Sequence, residues 1–245
     1  MPYPNIWVRL LVITMFAAPL CSPSARAEES PVAPDTGAKA ESDHAMELSY
    51  DATIASSYIF QGIDYSYGQS VIQPNATAAW RGLSANFWGN VQARAMATNE
   101  IDLSIKYGRE MGKVSAAAGY LNLRYPNRDW DPSQEFFVDL AYAVPLNPSL
   151  SVHYDFDAGE GSYTTLGLKH ELPNHLTLGT NLFYQSHYYA MTGIVAAEFK
   201  LAASFPIGGL TLTHSGSYFT TWENGDFRGE AAIPAKWLVA INVAR

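Results

Sequence analysis

Cysteine, charge and long apolar runs are all scarce in this sequence of 245 residues. The single cysteine, Cys21, excludes a disulfide framework and excludes zinc or iron–sulfur sites built from several thiolates. Charged residues make up 16% of the chain, against about a quarter in typical soluble proteins. The chain lacks the several runs of about 20 apolar residues that a bundle of transmembrane helices requires. The formal net charge of −8 argues against nucleic acid as a partner, because phosphate binding needs a basic surface.

Residues 1–27 have the pattern of a secretory signal peptide. Arg9 supplies the positive start, an apolar stretch runs from Leu10 to Leu20, and Ala25-Arg26-Ala27 is a small-residue cleavage site. We therefore predict export and cleavage after Ala27, which leaves 13 basic and 23 acidic residues and a net charge of −10. Residues 28–45 are polar and lack an apolar period, so they are predicted to form a flexible N-terminal segment.

From Met46 onward, apolar and polar residues alternate along the chain. Up to Phe60, the even-numbered residues are almost all apolar or aromatic, and the odd-numbered residues are mainly polar. This period of two is typical of a strand with one apolar and one wet face. The pattern recurs to the C-terminus, in strands mostly longer than the roughly five or six residues usual in soluble domains. The predicted strands are 46–60, 70–80, 83–92, 100–108, 113–125, 135–144, 150–157, 163–170, 176–186, 194–205, 210–219 and 236–245.

The connections between these strands alternate in length. Tight turns such as Arg81-Gly82 are followed by longer and more polar loops. The longer loops are 62–68, 93–99, 126–134, 158–162, 187–193 and 220–235. Because every backbone polar group in lipid must find a partner, strands can span a membrane only as a closed barrel. We therefore predict an all-β fold, in which residues 46–245 form a closed antiparallel transmembrane β-barrel of about 12 strands in the bacterial outer membrane.

In such a barrel, the apolar residues at alternate positions of each strand are expected to face the acyl chains. This lipid-facing set is Ile101, Leu103, Ile105, Tyr107, Phe136, Val138, Leu140, Tyr142, Val152, Tyr154, Phe156, Leu176, Leu178, Leu182, Tyr184, Val195, Phe199, Leu201 and Phe205. Aromatic residues near strand ends are expected to form girdles at the membrane interfaces.

The predicted girdle residues are Tyr50, Tyr58, Phe60, Trp80, Tyr107, Tyr142, Tyr184 and Trp237.

The polar residues between them are expected to line the lumen. The candidates are Glu47, Asp51, Glu100, Asp102, Lys106, Glu135, Asp139, His153, Asp155, Asp157, Glu198 and Lys200. Carboxylates predominate in this set, and an acidic lumen would favour cations over anions. In the alternative interpretation, many of these carboxylates pair with Arg94, Arg109 or Arg124 and only fill the barrel. Glu198 and Lys200 share a face and are a candidate pair.

Several short segments resemble the TorF-type porin family. The segment SYIFQGIDYS at 57–66 is followed by QP at 73–74 and by ANFWGN at 85–90, and the similarity covers roughly residues 50–200. The resemblance implies an outer-membrane location and a porin-like architecture. The sequence departs from the family pattern at Gln61, where an arginine is usual.

Other motifs bear on enzymatic and binding roles. The His-x-Ser spacing of barrel hydrolases is absent, whereas His153, Asp155 and Asp157 share one face and could form an acid–base or metal cluster. A solvated lumen stripe is the competing interpretation. Aromatic and acidic loop residues are typical either of sugar and cation binding or of interface anchoring. They are Trp130 with Asp131, Trp222 with Glu223, and His187, Tyr188 and Tyr189.

These observations favour a porin-like channel for passive diffusion of small polar or cationic solutes, with no enzyme activity and no cofactor. Asp51, Asp102, Asp139 and Asp155 are the main lumen candidates. The alternatives are a non-conducting barrel that serves as a scaffold or binds a periplasmic partner, a barrel hydrolase, and a soluble periplasmic β-sandwich. The expected partners are outer-membrane lipid and lipopolysaccharide, and the assembly machinery, which usually reads a terminal aromatic residue where this sequence has Arg245.

Overall fold

The computed structural model describes residues 45–222 and 236–245. The predicted signal peptide, nearly all of the N-terminal segment and most of the 220–235 loop, including Glu223, lie outside the described residues. Within the described ranges, no helix is long and apolar enough to cross a membrane.

The described residues form fourteen strands, twelve of which close into one antiparallel barrel. Each barrel strand pairs with its neighbours in sequence order, and β1 pairs with β14 to close the ring. The prediction of a closed antiparallel barrel of about twelve strands is therefore confirmed. The strands are β1 (Glu47–Ala55), β2 (Ile59–Phe60), β3 (Ile63–Asp64), β4 (Val71–Trp80), β5 (Leu83–Gln92), β6 (Ala97–Met111), β7 (Val114–Arg124), β8 (Ser133–Tyr142), β9 (Ser149–Asp155), β10 (Gly161–Leu172), β11 (Leu176–Tyr188), β12 (Met191–Ile207), β13 (Leu210–Thr221) and β14 (Lys236–Ala244).

Alternation of side chains gives the barrel an apolar outer surface. On β8, Phe136, Val138 and Leu140 are exposed, whereas Glu135 and Asp139 are buried on the inner side. Because successive side chains of a strand point to opposite faces, this burial pattern follows directly from the sequence period. An outer surface built from large exposed apolar side chains is typical of barrels whose surroundings are lipid.

The predicted first strand, 46–60, is wrong at its C-terminal end. β1 ends at Ala55, and residues 57–66, which we call the inner hairpin, are buried throughout. The short strands β2 and β3 pair within it, and Gln61 and Gly62 form its two-residue turn with φ angles of 48° and 85°. Positive φ at both central residues is typical of a type I′ turn.

The inner hairpin also corrects two predicted interface aromatics. Tyr58 and Phe60 are only 2% and 3% exposed, so they lie inside the barrel and not in a girdle. The other six predicted girdle residues all have exposed side chains: Tyr50, Trp80, Tyr107, Tyr142, Tyr184 and Trp237. Apolar residues at 58, 59 and 60 interrupt the alternation, as expected for a segment buried on both sides.

A β-bulge reverses the prediction for Val195, which was expected to face lipid. In the β11–β12 pairing, Phe183 is opposite Ala196 and Tyr184 is opposite Ile194, so Val195 is the extra residue. Val195 and the three residues that follow it are buried, whereas Ile194 and Phe199 are exposed. The bulge lies close to a short turn. The 187–193 loop was predicted to be long, but only Tyr189 and Ala190 lie between β11 and β12.

Candidate functional site in the barrel interior

The twelve predicted lumen residues fall into three groups by burial. Glu100, Asp102, Glu135, Asp139, Asp155 and Glu198 are buried, and Asp51, Lys106, His153 and Lys200 are partly buried. The exposed residues are Glu47 and Asp157, at the start of β1 and just after β9. Ten of the twelve are therefore shielded by the barrel to some degree.

The inner hairpin packs its aromatic side chains across the barrel interior. Tyr58 lies against Trp88 of β5 with ring centroids 5.7 Å apart, and Phe60 meets Tyr163 of β10 edge-on at 5.4 Å. Because the hairpin leaves the barrel wall where β1 ends and β4 begins, it occupies the half of the interior nearest that end of the barrel. This aromatic cluster narrows the interior there.

Polar contacts hold the inner hairpin in place. The Asp64 carboxylate accepts hydrogen bonds from the Ser66 backbone N–H at 2.9 Å, the Ser66 hydroxyl at 2.6 Å and the Gly68 N–H at 2.8 Å. The Lys236 Nζ of β14 donates to the same carboxylate and forms an ion pair with it. At the hairpin tip, Gln185 Nε2 donates to Gln61 Oε1 at 2.6 Å. The hairpin is thus tied to two strands of the wall, β11 and β14.

A buried carboxylate, Glu135, is at the centre of a second polar group near the hairpin. Its Oε2 lies 2.8 Å from His153 Nδ1 and accepts a hydrogen bond from the Tyr163 hydroxyl at 2.7 Å. The His153 imidazole is stacked between the rings of Phe137 and Tyr163, at centroid distances of 5.0 and 4.6 Å. Rings on both sides fix the imidazole, so this group is rigid.

Amide side chains solvate two of the other interior carboxylates. Asp51 accepts hydrogen bonds from Asn75 Nδ2 and Asn242 Nδ2, both at 2.7 Å. Glu198 accepts from Asn181 Nδ2 at 3.0 Å. These donors are neutral, so they orient the carboxylates without cancelling their charge.

Arg94, Arg109 and Arg124, the candidate partners of the interior carboxylates, are all exposed. Arg109 Nε donates to the Tyr107 hydroxyl, and Arg124 Nε donates to Asn122 Oδ1 at 3.0 Å. The hydrogen bonds of both arginines therefore go to neighbours on their own strands.

His153, Asp155 and Asp157 do not form a single cluster. His153 pairs with Glu135, whereas Asp155 accepts hydrogen bonds from the Ser133 hydroxyl at 2.6 Å and from the Asp157 backbone N–H at 2.9 Å. Among the described residues, no group of three or more histidine, cysteine and acidic side chains is placed to hold a metal ion.

Comparison with known proteins gives a family and a fold. The model of a family described as "Bacterial protein of unknown function (Gcw_chp)" matches residues 39–221. A search of curated proteins found none with significant sequence similarity.

Two solved porin structures are similar to the barrel. The KdgM porin in complex with disordered oligogalacturonate has a TM-score of 0.51 and 9% identity, over 82% of this chain and 98% of that chain. The NanC porin has a TM-score of 0.51 and 12% identity, over 80% of this chain and 98% of that chain. At these identities the likeness concerns the fold.

Proposed function

This chain belongs to the Gcw_chp family, and we propose that it is a narrow porin-like channel of the bacterial outer membrane for small polar or cationic solutes. The observation that carries the proposal is a closed barrel with an apolar outside and an interior that holds buried carboxylates. Passive diffusion through such a barrel requires no cofactor and no covalent chemistry. The TorF-type assignment, the signal peptide and the outer-membrane location belong to the same proposal.

The charge of the interior supports the preference for cations. Asp51 and Glu198 are held by amide groups that leave their negative charge in place. A permeating cation is therefore attracted by the interior, and an anion is repelled. The oligogalacturonate in the KdgM complex is a carboxylated saccharide. We propose that this chain differs from that porin in disfavouring such anionic solutes.

The inner hairpin supports a small size limit. It brings Tyr58 and Phe60 into the interior, where they pack against Trp88 and Tyr163 of the wall, and Tyr65 packs against Tyr58. A barrel of twelve strands lies between the filled interior of eight-stranded barrels and the open channel of those with about sixteen. We propose that solutes pass beside this aromatic constriction or through openings created when the hairpin moves.

Planar-bilayer recording of the refolded chain tests the proposal. We expect small unitary current steps, and a reversal potential under a KCl gradient that reports K⁺ as the main carrier. Asp51→Asn should reduce this cation preference, while Arg109→Gln, which removes a charge from the outer face of β6, serves as a control that should leave it unchanged. A barrel that inserts but gives no unitary steps would contradict the channel, and current carried by Cl⁻ would contradict the proposed selectivity.

A non-conducting barrel that binds a periplasmic partner is the second candidate function. The anchored inner hairpin favours this alternative, because aromatic packing and the Asp64–Lys236 ion pair could seal the interior. If conductance stays absent even after the ion pair is removed, the scaffold becomes the better proposal. Lipopolysaccharide and the assembly machinery remain proposed partners of either barrel.

A further inference from the structure

We propose that a cavity outside the lumen, at the hairpin end of the barrel, binds saccharides made of neutral or amino-bearing units. The cavity has a volume of about 660 Å³, within the range of roughly 300–1,000 Å³ usual for small-molecule sites. It lies between the loop that joins β7 to β8 and the turn that follows β9. Its main lining residues are Arg124, Asp129, Trp130, Asp131, Asp157 and Tyr189.

The aromatic part of the cavity is held rigidly. Trp130 meets Tyr65 of the inner hairpin and Tyr125 edge-on, both at 5.3 Å, and the Arg128 guanidinium lies 4.8 Å from its ring centre. Arg128 also donates to the Tyr65 carbonyl oxygen, which ties the loop to the hairpin. A fixed, flat ring is suited to the apolar C–H face of a sugar, because little side-chain entropy is lost on binding.

The polar part of the cavity supplies groups for sugar hydroxyls. Asp129 and Asp131 are exposed carboxylates on the loop. The Asp157 carboxylate is oriented by a hydrogen bond from Gln134 Nε2 at 3.0 Å. Carboxylates accept hydrogen bonds from hydroxyls, and the Arg124 guanidinium donates them. Hydrogen-bond donors and acceptors beside an aromatic ring match a polyhydroxylated ligand better than an apolar one.

The charge of the cavity determines which saccharides fit. Three carboxylates and one guanidinium line the cavity, so the lining has an excess of negative charge. A phosphorylated or carboxylated sugar would be repelled, whereas an ammonium group would be attracted. This excess predicts a preference in the order amino sugar, neutral sugar and acidic sugar.

The position of the cavity leaves two sources for the saccharide. Asn122, Arg124 and Gln134 lie on the outer flank of the barrel, at the end where the inner hairpin begins. In the proposed outer-membrane orientation this end faces outward, so the ligand is either a free saccharide or the sugar head of a neighbouring glycolipid. Only this orientation rests on the proposed function; binding in detergent does not depend on conduction.

Isothermal titration of the detergent-solubilised chain tests the site with three probes. These are the tetramers of glucosamine, N-acetylglucosamine and galacturonic acid. We expect one saturable site for the first two and at least tenfold weaker binding of the third. Trp130→Ala should weaken binding at least tenfold, while the matched control Trp237→Ala, an exposed tryptophan on β14 at the same end of the barrel, should not.

A second variant keeps the test decisive if Trp130→Ala disturbs the loop. Asp131→Asn changes an exposed side chain and should weaken the glucosamine tetramer more than the N-acetylglucosamine tetramer. Absence of binding for all three probes would overturn the proposal. So would equal affinity for the acidic probe, or unchanged binding in both variants.

Reconstitution distinguishes the two sources. The titration is repeated in phosphatidylcholine nanodiscs with and without a glucosyl diacylglycerol, whose sugar head carries no phosphate. Loss of probe binding when this glycolipid is present identifies the glycolipid head as the occupant, and unchanged binding identifies a free saccharide. Because conductance is measured separately in planar bilayers, a failed channel and a failed saccharide site give different results.

Discussion

Removing the Lys236 ammonium should release the inner hairpin. The Asp64 and Lys236 side chains are 5% and 27% exposed, so this ion pair is largely shielded from water. Lys236→Met keeps most of the aliphatic stem and deletes the charged donor. Asp64 retains its hydrogen bonds from Ser66 and Gly68 in this variant. The free energy lost is therefore that of one charge-assisted hydrogen bond and not that of a fully unpaired buried charge.

The Lys236–Asp64 contact sets the expected size of this effect. A hydrogen bond to a charged group contributes about 1.5–3 kcal/mol. If the packed position of the hairpin is destabilised by about 2 kcal/mol, the fraction of molecules with a displaced hairpin rises roughly thirtyfold, because about 1.4 kcal/mol is a factor of ten. The cost stays below the roughly 3–5 kcal/mol of a fully buried broken pair, because part of Lys236 is exposed.

Single-channel recording measures this population as the open probability, which is proportional to the opening frequency when the open time is unchanged. We expect Lys236→Met to open about thirty times more often than the wild type, and Asp64→Asn to have a similar effect. The double variant should open little more than either single variant, because both remove the same contact. Lys169→Met breaks the exposed Lys169–Glu171 pair and should not change the opening frequency.

Wild-type conductance in these variants would contradict a role of the ion pair in holding the hairpin. If Lys236→Met and Asp64→Asn fold into barrels whose opening frequency equals that of the wild type, the ion pair does not hold the hairpin. Heat-modifiable migration in detergent gels verifies that each variant forms the barrel. A variant that migrates as a folded barrel and opens as often as the wild type would therefore show that the ion pair does not hold the hairpin.

Three further predictions concern packing and charge. Gly119→Ala should lower the free energy of unfolding by about 1–3 kcal/mol in urea titrations from detergent, because a Cβ there would lie 2.4 Å from Phe137 Cζ; an unchanged midpoint would argue against tight packing. Tyr163→Phe removes a donor to Glu135 and should cost about 1–3 kcal/mol in the same assay, whereas a stability equal to that of the wild type would show that this hydrogen bond contributes little. Gln61→Arg places a cation at the hairpin tip and should shift the reversal potential towards lower cation selectivity; an unchanged potential would mean that ions do not pass near the tip.

Much of the barrel could be predicted because the side-chain period of a strand is a local property. The alternation on β8, in which Glu135 and Asp139 are buried and Phe136 and Val138 exposed, follows from the sequence period alone. The same holds for strand number and for the tight turn at Arg81-Gly82, where positive φ favours glycine at the second position. Neither feature depends on residues far along the chain.

The partners of the interior side chains could not be predicted in this way. Asp64 meets Lys236 across 172 residues, and Asp51 meets Asn242 across 191 residues. Such contacts exist only once β1 pairs with β14 and the register of every intervening strand is fixed. The buried position of Val195 likewise depends on one bulge opposite Phe183 and Tyr184.

An all-β chain with one apolar and one polar face thus follows from the sequence pattern, because backbone geometry imposes the period of two on any strand. The inward turn of residues 57–66 depends instead on contacts that form only when the barrel closes. Tyr58 and Phe60 occupy even-numbered positions, as the large apolar residues of β1 do, and such positions suit a lipid-facing strand end as well as a packed interior. The choice is made by Trp88, Tyr163 and Lys236, which the closed barrel brings together around the hairpin.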